Sequence, residues 1–380
     1  MGRPNSLTSH CFFVTLRNSA NTDAASIIDA INTVHQRRAS FNFHDRDGDM
    51  KKFTTVGAAL MLTTTAAYAG GIDRSGQSIG AIFEDGKYVE LSYGMVTPSV
   101  TGTFGGGTQA SGSMAPSYGS VGLAFKTDIN DNVSLALIID QPFGANVDYD
   151  TAGYILTGTA ATVETTSITV VGRYKFNENI SVFAGPRYLR ASGDYTLVVG
   201  GGPVYTSTYS TGDNTGYVAG MAYERQDIAM RVALTYSSAI DLELDGTGAG
   251  GLGDLSATMP QSVNLEFQSG VAANTLVFGS VRWAEWSKGN ITDAAFGDLV
   301  SWDDDVMTYT LGVGRKFSDS FSAALSVGYE KALGGTTSNL APTDGYTSIS
   351  LGGTYTLDNG IELTGGVRYI MAGDATGDPI

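Results

Sequence analysis

The sequence predicts an all-β protein built as a transmembrane antiparallel β-barrel. Three observations carry that expectation. Apolar and polar residues alternate with period two from about residue 87 onward. The connections between alternating runs are short on one side and long on the other. A segment with the layout of an export signal precedes them. Period-two alternation gives strands with one apolar and one polar face, and the short-turn, long-loop rhythm is that of an outer-membrane barrel.

The export signal comes first. Met50-Lys51-Lys52 is followed by the apolar run 53–69, which ends in Ala67-Tyr68-Ala69. A basic start, a short apolar stretch and a small-residue end predict a secretory signal peptide over 50–69, cleaved after Ala69. Residues 1–49 carry as many Arg as Asp and do not match the rest of the chain. A signal does not work easily behind a polar extension, so 1–49 is expected to be a misassigned N-terminal extension, with translation starting at Met50.

Removing these segments has chemical consequences. The single Cys (Cys11) and all three His (His10, His35 and His44) lie before residue 50. Residues 70–380 then lack the groups for Ser-His-Asp or Cys-His catalysis, for ordinary zinc sites and for disulfides. No enzyme activity, metal or cofactor is expected. The net charge of −16 over 380 residues disfavours nucleic acid, whose binding is dominated by basic contacts to phosphate.

The strands follow in order, near 87–98, 118–128, 132–142, 164–177, 179–193, 213–225, 227–240, 259–269, 273–287, 304–317, 320–331, 345–357 and 360–372. Val89, Leu91, Tyr93 and Met95 alternate with Glu90, Ser92 and Gly94 in the first, and the same pattern recurs along the chain. Turns such as Asn177-Glu178-Asn179 and Asp358-Asn359-Gly360 suit tight reversals. The long loops near 99–117, 144–163, 195–212, 241–257, 288–303 and 332–344 are rich in Gly, Thr, Ser and Asp. Thirteen strands are visible. Bacterial barrels use even numbers, so a closing strand is missing, and either the chain is truncated or closure comes from elsewhere. A soluble β-sandwich would also alternate, but the signal, the loop rhythm and tyrosines at strand ends favour the barrel.

The face opposite the apolar stripe carries Glu90, Arg173, Arg187, Glu224, Arg231, Glu266, Arg282, Glu330, Glu362 and Arg368. An Arg or Lys facing lipid at the midplane costs about 2–4 kcal/mol, so these charges are expected to line the lumen. They form either a lattice that stiffens the interior or a solute pathway. Three other signals are set aside. Gly246-Thr247-Gly248-Ala249-Gly250-Gly251 fits a nucleotide-loop pattern, but no helix follows it, so a flexible outer loop is expected. Asp45, Asp47 and Asp49 fail as a calcium loop, because Met50 and Val56 stand where Gly and Glu belong. The acidic run Asp303-Asp304-Asp305 reads as a solvated loop.

At this point the residues carry a family resemblance. The third predicted strand ends in Asp140-Gln141-Pro142-Phe143-Gly144. The eighth opens with Met259-Pro260-Gln261-Ser262, and the ninth ends in Trp283-Ala284-Glu285-Trp286-Ser287. Tyr309 to Val313 precedes Phe317-Ser318-Asp319. Taken in order, these features resemble the FadL/TodX (OMPP1) family of outer-membrane transporters of hydrophobic compounds. The resemblance implies a barrel of fourteen strands, with thirteen visible here over 87–380, and a hatch inside it, here the short segment 70–86. It implies passive transport of long-chain fatty acids or aromatic hydrocarbons, captured outside and released sideways through the wall. It also implies the outer membrane of a Gram-negative bacterium, with outer-membrane lipid, lipopolysaccharide and the barrel assembly machinery as partners. Ile79, Ile82 and Phe83 in the hatch, and Pro142, Phe143 and Gly144 at the strand end, are the candidate ligand path. The alternative function is a general porin for small polar solutes.

Overall fold

A computed structural model of the chain describes residues 8–18, 71–202, 205–249, 253–334 and 336–377. The signal-like segment, its cleavage position at Ala69, His35 and His44 lie outside the described residues. Among the described residues, fourteen antiparallel strands form a closed barrel. In chain order they are β1 (Thr8–Asn18), β2 (Tyr88–Ser99), β3 (Tyr118–Asp128), β4 (Val133–Asp140), β5 (Ala160–Lys175), β6 (Ile180–Leu197) and β7 (Tyr205–Arg225), then β8 (Met230–Ser237), β9 (Ser262–Ala272), β10 (Thr275–Ala284), β11 (Val306–Lys316), β12 (Phe321–Glu330), β13 (Tyr346–Thr356) and β14 (Ile361–Ala372).

The thirteen expected strands are all present, and the fourteenth is not missing. Thr8–Asn18 fills the seam, pairing with β2 from Thr8–Ser99 to Asn18–Val89 and with β14 from Ser9–Ile370 to Asn18–Ile361. The closing strand therefore comes from the segment that the sequence alone places outside the mature protein. Its inward-facing Arg17 forms an ion pair of 3.0 Å with Glu90 of β2, across the seam.

Alternation decides which residue meets which solvent. Val14, Leu91, Tyr93, Val121, Leu234, Leu311, Val327 and Leu351 are exposed on the outer wall, while Thr15, Glu90, Ser134, Thr235, Ser326 and Ser350 are buried inside. In a bilayer the first group meets hydrocarbon, and closure through β1 pairs the edges that β2 and β14 would otherwise present to lipid.

The long connections are more ordered than their composition suggests. Ile240–Leu244, Leu255–Met259, Asn290–Asp293 and Gly297–Ser301 form a second sheet over the outer end of the barrel. Leu242, Leu244, Leu255, Ala257, Met259, Ile291 and Val300 are buried in it. Part of the glycine-rich loop, Gly246–Ala249, pairs with Thr206–Tyr209 of β7 and is not a free loop. The long β7 offers an outer edge beyond β8; Gly248 allows the close approach to the Thr206 carbonyl on that edge, and Gly246 a close approach to the Gly253 carbonyl.

Candidate functional site

The site lies where the wall of the barrel is interrupted. The ladder between β3 and β4 runs outward only as far as the pair Leu123–Ile139. Beyond it β4 stops at Asp140, and Pro142 has no N–H to continue a ladder. Pairing with β5 resumes only at Gly144–Asp148. The outer part of β3 is therefore bridged to this stretch by a side chain, with the Val121 N–H donating to Gln141 Oε1 at 3.1 Å.

Residues 71–87 run inside the barrel and meet this break with their backbone. The amides of Arg74 and Ser75 donate to the Pro142 carbonyl at 2.7 and 3.3 Å, and the Gly144 amide donates to the Ile72 carbonyl at 2.9 Å. Asp73 and Phe143 form an isolated antiparallel bridge. The polar groups left over by the break are thus satisfied from within. The Arg74 guanidinium stacks 4.1 Å over the Tyr118 ring and donates to Asn146 Oδ1 at 3.2 Å. The Ser75 hydroxyl donates to Asp140 at 2.6 Å. A Cβ on Gly144 would stand 2.5 Å from the Arg74 guanidinium and would displace it from this position.

The same segment is held from the opposite wall. The Asp73 carboxylate accepts from Arg282 Nη2 and from Trp286 Nε1, both at 2.9 Å. A Cβ on Gly71 would stand 2.5 Å from the Trp286 indole. Asn264 donates to the Gly76 carbonyl at 2.7 Å, Ser78 donates to Glu266 at 2.7 Å, and Arg187 donates to Gln77.

Above the segment lies a small apolar cavity of about 50 Å³. Ile72 of the inner segment, whose carbonyl accepts from Gly144, and Ala145, just past the break, form one side of it. Tyr195, Tyr209, Leu244, Met259, Ile291 and Leu340 are among the alkyl and aryl residues that complete the lining. Phe143 belongs to the same buried cluster and meets Trp286 edge-on at 5.9 Å.

The expected site residues divide into three groups. Pro142, Phe143 and Gly144 lie at the wall break beside the cavity. Ile79, Ile82 and Phe83 do not line it. They pack deeper, against Ala136, Val171, Phe183, Val218, Ala222 and Ala233, where Phe83 sits between the guanidinium groups of Arg173 and Arg231 at 4.7 and 4.6 Å. The ten charges all stand on the inward face. Glu224 and Glu362 are half-buried there and the other eight are buried. Arg173 pairs with Glu224, Arg282 with Asp73, and Glu90 with Arg17 and the Tyr88 hydroxyl. Sequence reasoning missed Ile72, Asp73, Arg74 and Tyr118. Their partners lie far away in the chain, and no local pattern marks them.

The break in the wall, the segment seated in it and the adjoining apolar cavity together make up the candidate site of this barrel. The family described as "Outer membrane protein transport protein (OMPP1/FadL/TodX)" matches residues 67–378, and the chain belongs to it. It is thus an outer-membrane transport protein. A Haemophilus influenzae relative, outer membrane protein P1, is 22% identical over 317 residues, covering 70% of this chain and 68% of that one. The crystal structure of a Pseudomonas aeruginosa FadL homologue matches with a TM-score of 0.55 at 15% identity, covering 97% of this chain and 89% of that one. The Pseudomonas putida toluene transporter TodX matches with a TM-score of 0.55 at 13% identity, covering 83% of this chain and 96% of its own.

Proposed function

We propose that the chain is a passive channel for hydrophobic compounds, not an enzyme, which takes them into the outer cavity and releases them into the bilayer through the break at Pro142–Gly144. One observation carries this reading: the cavity and the break share Ile72 and Ala145, so the apolar space adjoins the interrupted wall. The physical reason is transfer free energy. Each methylene kept out of water is worth about 0.8 kcal/mol, and a route down the lumen past Arg187, Glu266, Arg173 and Glu224 would forfeit it. A sideways exit avoids those charges. The toluene transporter similar to this chain supports an apolar cargo.

Reading the chain as a general porin for polar solutes gains nothing from the relatives, and residues 71–87 lie across the lumen. Residues 70–86 serve in this proposal as the hatch, and Ile79, Ile82 and Phe83 are its anchor to the wall rather than a ligand contact. Outer-membrane lipid, lipopolysaccharide and the assembly machinery are the partners such a barrel requires.

The test is uptake of labelled toluene and oleate by cells with and without the gene, after surface assembly is confirmed. Gene-dependent uptake of at least one is expected. Replacing Pro142 and Gly144 by Val should lower that uptake several-fold while the barrel still assembles. Gene-independent uptake of both defeats the proposal, and unchanged uptake by the double variant defeats the lateral exit alone.

A further inference from the structure

We propose that this channel selects uncharged apolar compounds, hydroxylated ones included, over carboxylate anions. The inference rests on the reading of the outer cavity as the substrate site. Three independent observations point the same way.

The first is the rim. The connections between the outer ends of the strands carry thirteen acidic residues, Asp293 and Asp344 of them buried, against two basic ones, Lys288 and Lys331. A rim of one sign raises the local concentration of opposite charges and lowers that of like charges. An approaching carboxylate is repelled, while an alcohol or a hydrocarbon is not affected.

The second is the cavity wall. Among the described residues it contains no Lys or Arg, and Asp194 is the one charged residue there. A carboxylate buried there would have no cation beside it, and an ionised group taken out of water without a partner is strongly disfavoured.

The third is how the nearby guanidinium groups are used. Arg282 donates to Ser262 and Asn264 as well as to Asp73, each at 2.9 Å. Arg187 donates to Thr169, Gln77 and Ser237. Arg368 is engaged with Ser348 and Tyr346, and Arg74 with Asn146 and the Tyr118 ring. These groups already hold the hatch segment or brace the wall. In contrast, Glu330 at the outer end of β12, outside the cavity lining, is buried, accepts from the Thr308 hydroxyl at 2.9 Å through Oε2, and has no hydrogen-bond partner at Oε1 among the described residues. Gln77 Nε2 of the inner segment is left in the same state. A carboxyl oxygen and a neutral amide suit a hydroxyl better than a carboxylate.

The experiment compares 1-octanol with octanoate, which have the same alkyl chain and differ at the head. Each is titrated at pH 8 and low salt into the full chain held in amphipol, with protein-free amphipol as the blank. Octanol is expected to bind at least tenfold more tightly. The gap should narrow in 1 M NaCl, where the screening length falls to about 3 Å and the rim is masked. A Ser192→Arg variant, which puts a cation on the cavity wall, should bind octanoate more tightly than the parent does. Octanoate binding as tightly as octanol, or more tightly, overturns the selectivity and leaves the channel standing. Absence of saturable binding for both overturns the cavity as a substrate site, and the selectivity with it.

Discussion

Asp73 is the residue that ties the inner segment to the wall facing the break. Its two acceptor bonds, from Arg282 and Trp286, are the counterweight to the backbone bonds that Ile72, Arg74 and Ser75 make with the Pro142–Gly144 stretch. Removing one partner of a buried ion pair is worse than never having built it, because the other charge stays buried; the typical cost is about 3–5 kcal/mol. Asp73→Ala should therefore loosen residues 71–78 without unfolding the barrel. Hydrogen exchange at the amides of Arg74, Ser75 and Gly144 is expected to accelerate at least tenfold, with the β8–β13 ladders unchanged. Exchange at the parental rate would show that the backbone pairing alone seats the segment. Nothing near residue 73 in the sequence announces this role, since Arg282 and Trp286 are more than two hundred positions away. The inward charges were legible for the opposite reason: one residue in two along a strand faces the lumen, and each strand carries that information by itself.

At the scale of the element, the outer sheet shows what composition hides. Runs rich in Gly, Thr and Asp predict loose loops, yet Leu242, Leu255, Ile291 and Val300 are buried there and the sheet roofs the cavity. Strands of four or five residues are too short for alternation to stand out from loop sequence. The sheet hangs on Asp293. Its Oδ1 accepts from the amides of Gly253, Ala295 and Phe296 at 3.0, 2.8 and 3.0 Å, and its Oδ2 from the Tyr209 hydroxyl at 2.9 Å. Burial pushes this carboxyl up, but the donors from Gly253, Ala295, Tyr209 and Phe296 outweigh it and hold the group below its ordinary value. A carboxyl lowered on folding stabilises the fold fully above its unfolded pKa and loses that contribution as pH falls through the lower, folded value. The roof should therefore stay seated at neutral pH and detach in strong acid. Asp293→Ala should detach it at neutral pH as well. Stranding several amide donors costs on the order of 3 kcal/mol. Protease nicking between residues 245 and 300, scored against pH, checks both statements, and a variant as resistant as the parent at pH 7 would refute the second.

For the whole molecule, the decisive feature is the seam between β2 and β14. The thirteen-strand reading came from alternation that is plain in every strand after residue 87. The fourteenth strand escaped it because Cys11-Phe12-Phe13-Val14 is a continuous apolar run and because the signal-like segment 50–69 separates it from the rest. Only pairing reveals it, since β1 meets β2 at eleven positions and β14 at ten. Without it, two strand edges would face hydrocarbon, each unsatisfied backbone group there costing several kcal/mol. Glu90 would also lose the guanidinium of Arg17. The closed barrel thus requires residues 8–18, whereas the signal layout predicts their removal. The structure predicts that they stay with the assembled protein, as part of the chain or as a fragment retained after cleavage behind Ala69. The register offers a direct check, because Cys11 is the one cysteine of the chain and stands opposite Val96. In a Val96→Cys variant of the full chain, oxidation of isolated outer membranes should join positions 11 and 96. The linked product should run as a folded barrel in unheated SDS electrophoresis and shift on reduction. The intact mass of the parent barrel, measured alongside, should include residues 8–18 or show them as a second component. A folded barrel whose only component begins at Gly70, with no cross-link in the variant, would mean that another strand closes the wall.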